Sequence, residues 1–223
     1  MRVSAVVPAL EEAATISHLV SRLRVEVDEV VVADGGSVDG TPTLAAEAGA
    51  VVVSAPRGRG PQLDAGASAA TGEVLWFVHA DTTVPPGAGA ALRHAAATRA
   101  WGSFAVRVES ADPRLRWCGR YMTLRARRTG SATGDMGIWC RRALFHEAGG
   151  FGARALCEDL DLTDRLRRAE PWAVIPLRLG TSARRWQANG QSLTMLRMWA
   201  VRAGYRVGLP ESWLVRVYRG RSR

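Results

Sequence analysis

The sequence predicts an α/β fold, a mostly parallel central sheet with helices on both faces, followed by a helical C-terminal tail. Three observations predict it. Short β-branched runs alternate with helix-period segments from residue 3 to residue 78. Polar clusters follow the strand-like runs directly, at Glu11, at residues 34–39 and at residues 79–81. The 223 residues are 47% hydrophobic and 23% charged, enough apolar material for one buried core and too much for a disordered chain.

The elements follow in order. Residues 3–7 form a β-branched run ending at Pro8, a buried first strand. Residues 15–23 have helical spacing, with Ile16, Leu19, Val20 and Leu23 on one stripe. A second strand covers 29–33, and Asp34-Gly35-Gly36-Ser37 follows as a loop. Thr41 and Pro42 read as the N-cap and first position of the next helix. A third strand over 50–54, a helix of small residues over 62–70 and a fourth strand over 73–78 complete a β-α-β-α-β-α-β series. In such sheets ligands bind beyond the carboxyl ends of the strands, where the polar clusters lie. After Pro85 and Pro86 come a helix, a strand over 101–108, a basic helix over 114–128, a strand or turn over 134–142, and a helix stopped by Gly149-Gly150. The helix over 158–168 begins acidic and ends basic, as its macrodipole favours. A strand over 174–179 and helices over 190–207 and 211–219 finish the chain.

Composition narrows the function. No apolar run approaches the ~18 residues that span a bilayer. The N-terminal apolar stretch is broken by Pro8, Glu11 and Glu12, so it reads as a strand rather than a signal peptide, and a cytoplasmic location is expected. Cys118, Cys140 and Cys157 are widely spaced, which predicts reduced thiols and no structural zinc. The net charge of +9 is carried entirely by arginine, concentrated over 107–142 and 181–223. Two such blocks call for an anionic partner: phosphate, anionic lipid or nucleic acid. They lack aromatics interleaved in a known nucleic-acid signature, so no nucleic-acid partner is expected.

Several motifs carry chemistry. Asp34-Gly35-Gly36-Ser37-Val38-Asp39-Gly40-Thr41 follows the second strand; its glycines allow close ligand approach, and Asp34 can accept from a base N–H. On residues alone it is also an ordinary turn. The string closely resembles the D-G-S-x-D-G-T motif of the inverting family 2 glycosyltransferases, with Gly36 inserted. Val7-Pro8-Ala9-Leu10-Glu11-Glu12 resembles their V-P-x-x-N-E opening. The resemblance implies a GT-A-type fold over 1–186 and a nucleotide-sugar donor; residues 187–223 read by themselves as a basic amphipathic helical tail. It implies donor-binding roles for Pro8, Ala9, Glu11, Asp34 and Gly35.

The later motifs agree in order. Arg57-Gly58-Arg59-Gly60 is similar to the family's basic Gly-rich segment before a helix, with Arg59 as a diphosphate clamp. His79-Ala80-Asp81 stands at the D-x-D position, which makes all three donor-binding candidates and Asp81 the candidate ligand of a divalent cation, Mg²⁺ or Mn²⁺. His79 departs from the pattern; it is either a ribose or phosphate contact or a packed strand-end histidine. Asp135, before Gly149-Gly150-Phe151, is either an acceptor contact or a backbone cap. Glu158-Asp159 resembles the family's E-D motif, which implies that Asp159 is the general base beside Glu158. Ser182-Ala183-Arg184-Arg185-Trp186 resembles a basic-aromatic motif of some members; its arginines suit a diphosphate and Trp186 an acceptor.

Two other classes compete with this reading. A sugar-phosphate nucleotidyltransferase needs a Gly-rich basic loop after the first strand, and here that loop is acidic and lacks glycine. A degenerate sugar-nucleotide or membrane-surface binding module is the alternative that His79 encourages. The tail bears on the acceptor. Residues 181–223 hold nine arginines and one acid, Glu211. Leu193, Leu196, Ala200, Ala203 and Val207 share a helical stripe beside Arg202 and Arg206. With Trp199, Trp213 and Tyr218, this suggests a peripheral protein at the inner face of a membrane and a lipid-linked or amphiphilic acceptor. The other reading packs the stripe on the catalytic domain with the arginines in water.

Overall fold

Alternation along the first strand, β1 (Val3–Ala9), sets both faces of the sheet. Val3, Ala5, Val7 and Ala9 enter one core and Val6 the other. A strand apolar on both faces belongs in the middle of a helix-covered sheet. The chain continues through α1 (Ile16–Arg24), β2 (Glu29–Asp34), α2 (Thr41–Glu47), β3 (Val51–Ser54), α3 (Arg59–Ala69) and β4 (Val74–Phe77). These four strands are mutually parallel. Then come β5 (Thr82–Thr83), α4 (Ala88–Thr98), β6 (Trp101–Glu109), α5 (Pro113–Thr129), a 3-10 turn (Gly134–Met136), β7 (Trp139–Arg141) and α6 (Arg142–Glu147). Last are α7 (Glu158–Ala169), β8 (Trp172–Ser182), α8 (Gln191–Arg206) and α9 (Glu211–Arg219). This computed structural model describes residues 1–183 and 190–220.

The eight strands form one sheet in the order β3-β2-β1-β4-β7-β6-β8-β5. The expected parallel series is therefore extended by β7, antiparallel to both β4 and β6, while β6 and β8 pair in parallel. Burying its two faces under α1, α2 and α4 on one side and α3, α5, α6 and α7 on the other makes two apolar cores.

Several local expectations change. β1 runs through Pro8 to Ala9 instead of stopping at Pro8. The Val6 carbonyl accepts from Val78 N–H, so residues 6 and 8 face β4, and β4 has already ended opposite Val6. The missing N–H of Pro8 thus has no ladder partner to lose. Thr41 is not the cap of α2: Gly40, at φ 88°, holds that place. The Thr41 hydroxyl donates to Asp39 Oδ1 and accepts from Glu12 N–H instead. α3 begins at Arg59, three residues earlier than expected, which puts Arg59 on its first turn. β8 is longer than expected, because an irregularity opposite Phe104 and Ala105 of β6 absorbs Pro176.

The tail orients unexpectedly. Val201 and Leu214 bury against Leu156, Cys157 and Leu160. Leu193, Leu196 and Val207 face outward, Leu196 and Val207 being 64% and 75% exposed. Arg202 and Arg206 turn inward, and both donate to Ser131 Oγ at 3.2 Å. Trp213 and Tyr218 pack against the small core under the tail rather than standing free, whereas Trp199 is exposed. The expected domain boundary near 186 and the motif residues Arg184, Arg185 and Trp186 lie outside the described residues. No described helix is long and apolar enough to cross a membrane.

Candidate active site

The carboxyl ends of β1 and β2 carry a self-contained hydrogen-bond network. Asp34 Oδ2 accepts from Gly36 N–H (2.9 Å) and Ser37 N–H (3.0 Å), and Oδ1 accepts from the Ser37 hydroxyl (2.6 Å). Ser37 Oγ in turn accepts from Glu11 N–H, and Glu11 Oε1 accepts from Val38 N–H. Asp34 therefore clamps its own loop, with carboxylate lone pairs left for a further donor. The two glycines serve different needs. Gly36 sits at φ 91°, a region that favours glycine. A Cβ at Gly35 would lie 3.0 Å from Gln62, whose buried amide donates to the carbonyls of Ala9 (2.7 Å) and Ala33 (2.9 Å). Gln62 so staples the ends of β1 and β2, a role no motif announced.

Beyond β4 and β6 lies a cavity of about 680 Å³. It is bordered by Arg59, His79, Asp81, Asp135, Glu158 and Asp159, residues from four separate parts of the chain. Pro8, Ala9, Glu11, Asp34, Gly35 and Ala80 are not on its wall; all but Ala80 belong to the neighbouring β1 and β2 ends. Asp159 opens α7. Its Oδ2 accepts from Gly134 N–H (2.8 Å) and its Oδ1 from Leu160 N–H (2.7 Å), so two backbone donors orient the carboxylate. Cys157, just before the helix, holds φ 64°, an uncommon conformation for a side-chain-bearing residue. Glu158 is buried and 3.5 Å from Arg59 Nη1. Burial first and the Asp159 charge second push its carboxyl above the ordinary range, against the pull of Arg59.

His79 Nδ1 stands 3.4 Å from Asp135 Oδ1, and the imidazole lies directly over Gly134, where a Cβ would collide with it. The histidine is thus both packed and turned to the cavity. Thr181 Oγ1 also donates to Asp135 at 3.4 Å. Burial raises the Asp135 carboxyl, but His79 and Arg59 outweigh it and hold the group below the usual carboxylate range. Cys118, Cys140 and Cys157 are free and buried, and burial raises all three thiols, Cys157 to about 12.

Among the described residues, no three His, Cys, Asp or Glu side chains converge as a metal cage. Asp81 and the His79–Asp135 pair nevertheless border one cavity. One or two carboxylates completed by substrate phosphates and water are the usual setting for Mg²⁺. The residues present therefore fit a cation that arrives with a diphosphate, and not a resident ion held by protein alone.

The family model described as "Glycosyl transferase family 2" matches residues 4–140, more than half of the chain. This protein belongs to glycosyl transferase family 2. Its fold is similar to that of glucosyl-3-phosphoglycerate synthase from Mycobacterium tuberculosis crystallised with Mg²⁺ and uridine diphosphate: 24% identity, 94% of this chain and 80% of that one covered, TM-score 0.64. The same enzyme crystallised with Mn²⁺, UDP-glucose and phosphoglyceric acid matches at 23% identity over 94% and 80%, with TM-score 0.64. A crystal structure of a further mycobacterial protein matches at 21% identity, covering 95% of this chain and 76% of that one, TM-score 0.58. No curated protein matches the sequence significantly. The glycosyltransferase thus has the GT-A architecture.

The glycosyltransferase cavity also has walls that sequence motifs did not mark. Tyr121, Met122 and Arg125 of α5 and Met195, Met198 and Arg202 of α8 line it. The basic run over 114–128 was visible, but which of its arginines face inward was not. The face opposite, with Arg114, Arg116, Arg120, Arg127 and Arg128, is exposed.

Proposed function

We propose that this glycosyltransferase moves a sugar from a nucleoside diphosphate sugar to an acceptor hydroxyl by single displacement with inversion. One observation carries the reading: Asp159, the Glu158–Arg59 pair, Asp81 and the His79–Asp135 pair border a single cavity. Asp159, oriented by two backbone donors, takes the acceptor proton as the acceptor oxygen attacks the anomeric carbon. The bond to the diphosphate breaks, and the negative charge grows on the leaving oxygens. Arg59 meets that charge from the first turn of α3. A bound divalent cation supplies further neutralisation of the diphosphate, and Asp81 with Asp135 would hold it. Asp34 and Glu11 bind the base and ribose from the adjoining loop, and Arg184, Arg185 and Trp186 contact the diphosphate and acceptor. The neighbours crystallised with uridine diphosphate or UDP-glucose make UDP-glucose the first donor to test.

The test is a thermal-shift screen of nucleotide sugars joined to a hydrolysis assay without acceptor. A transferase is stabilised by its donor and slowly releases nucleoside diphosphate. Stabilisation with no release points to a binding module, and the absence of any shift across the donor panel removes the reading.

We further propose that the acceptor is amphiphilic and met at an anionic membrane surface. Trp117, Tyr121 and Leu124 of α5 and Leu193, Leu196 and Trp199 of α8 are exposed, and the Tyr121 and Trp199 rings lie 6.2 Å apart. Exposed arginines of α5, among them Arg114, Arg120 and Arg128, flank the α5 part of this face, and each basic residue near an anionic surface contributes ~1 kcal/mol. The protein is expected to sediment with vesicles containing phosphatidylglycerol and much less with pure phosphatidylcholine. Leu196→Glu is expected to reduce the sedimented fraction. Equal failure with both lipids would favour a soluble acceptor.

A further inference from the structure

Two half-buried arginines in the cavity lack the anion their surroundings call for. Arg125 Nε donates to the Ser131 carbonyl at 3.2 Å, but its Nη2 is buried with no hydrogen-bond partner among the described residues. Arg202 comes from α8 to the same place and donates to Ser131 Oγ at 3.2 Å. Among the described residues, neither guanidinium makes a salt bridge, whereas Arg206, beside them, is matched by Asp164 at 3.0 Å. Burial first, and Arg202 second, bring the Arg125 guanidinium down to about 10. Burial likewise lowers Arg202. Thr133 Oγ1, on the same cavity wall, is also buried and unpartnered. A buried donor left unmade is costly, and two close guanidinium groups add repulsion. Water satisfies the donors but supplies no negative charge.

We propose that Arg125, Arg202 and Ser131 form an acceptor subsite for an anionic group, a phosphate or carboxylate, in the cavity that holds Asp159. The proposal rests on the transfer reading of that cavity and deepens it by giving the acceptor a charge. Asp159 is the acid whose field both guanidinium groups feel most. That field vanishes when Asp159 takes the acceptor proton, and an anion on the acceptor keeps the pair compensated through the step. Met122, Met195 and Met198 continue the wall away from the arginines, so the acceptor pairs an anionic group with an apolar part. The anion has two sources, a lipid phosphate headgroup or a free phosphate ester.

Inorganic phosphate titrated calorimetrically into the full chain, with Mg²⁺ and saturating uridine diphosphate occupying the donor site, tests this. The wild type is expected to bind phosphate, and Arg125→Gln and Arg202→Gln each to weaken it about 10-fold or more, the size of one charge-assisted hydrogen bond. Uridine diphosphate affinity should be unchanged in both. Should Arg125→Gln fail to fold, Arg202→Gln and Ser131→Ala carry the measurement. Sedimentation with phosphatidic acid vesicles against phosphatidylcholine vesicles separates the sources: Arg125 dependence there assigns the headgroup, and Arg125 dependence for free phosphate alone assigns the soluble ester. No phosphate binding by the wild type, or equal binding by wild type and variants in both arms, overturns the subsite. Failure of the wild type to bind uridine diphosphate counts against the transfer reading instead, and the phosphate titration without nucleotide still reads the subsite through its variants.

Discussion

Asp159→Asn is expected to lower turnover ~10²–10⁴-fold, the usual contribution of a positioned general base. Asparagine keeps the shape of the side chain, and its carbonyl oxygen can still accept from Gly134 N–H, the 2.8 Å bond that joins the turn to α7. What it loses is the ability to take a proton from the acceptor. Donor binding should therefore change little, because the residue acts on the acceptor side of the reaction. The separation is measurable: equilibrium donor affinity by calorimetry, and turnover by nucleoside diphosphate release with acceptor present. Near-wild-type turnover would remove Asp159 from the base role and turn attention to Glu158, whose raised carboxyl is the other acid at the start of α7.

Asp81→Ala is expected to weaken cation-dependent donor binding by at least ~10-fold. Removing even an outer-sphere partner of a metal typically costs 10–100-fold in affinity, and a direct ligand should cost no less. EDTA on the wild type should reproduce the loss, and adding EDTA to the variant should do little more. The measurement is donor affinity with and without Mg²⁺ or Mn²⁺, independent of turnover. Undiminished donor binding and transfer in EDTA would mean a transferase that handles the diphosphate with arginines alone. Arg59 is then the first candidate, already on the cavity wall and within 3.5 Å of Glu158.

Much of the fold was legible because it is local. The Val-rich run of β1, the stripe of α1 and the loop after β2 each declare themselves within a dozen residues, and the parallel order follows from their alternation. The places where the reading slipped are those where a distant contact decides. Pro8 stays in β1 because β4 ends early on that side. Thr41 gives up the cap because Glu12 and Asp39 use its hydroxyl. β7 lies between β4 and β6 and pairs antiparallel with both, a placement no spacing records.

The candidate site divides in the same way. The ordered motifs around Asp34, His79–Asp81 and Glu158–Asp159 were readable as a family pattern, since each is contiguous. Gln62 was not, because its role is to bond two carbonyls, of Ala9 and Ala33, that lie far from it in sequence. Nor was the meeting of Arg125, Ser131 and Arg202, which depends on α8 lying alongside α5. By itself the sequence determined the parallel half of the sheet, the loops at its carboxyl edge and which residues of α8 share a stripe. Only the tertiary structure decided that Leu193, Leu196 and Val207 face outward and Arg202 and Arg206 inward. Periodicity says which side chains stand together, but the direction they face is set by partners hundreds of atoms away along the chain, here Ser131 and Asp164, whose acceptors draw the arginines in.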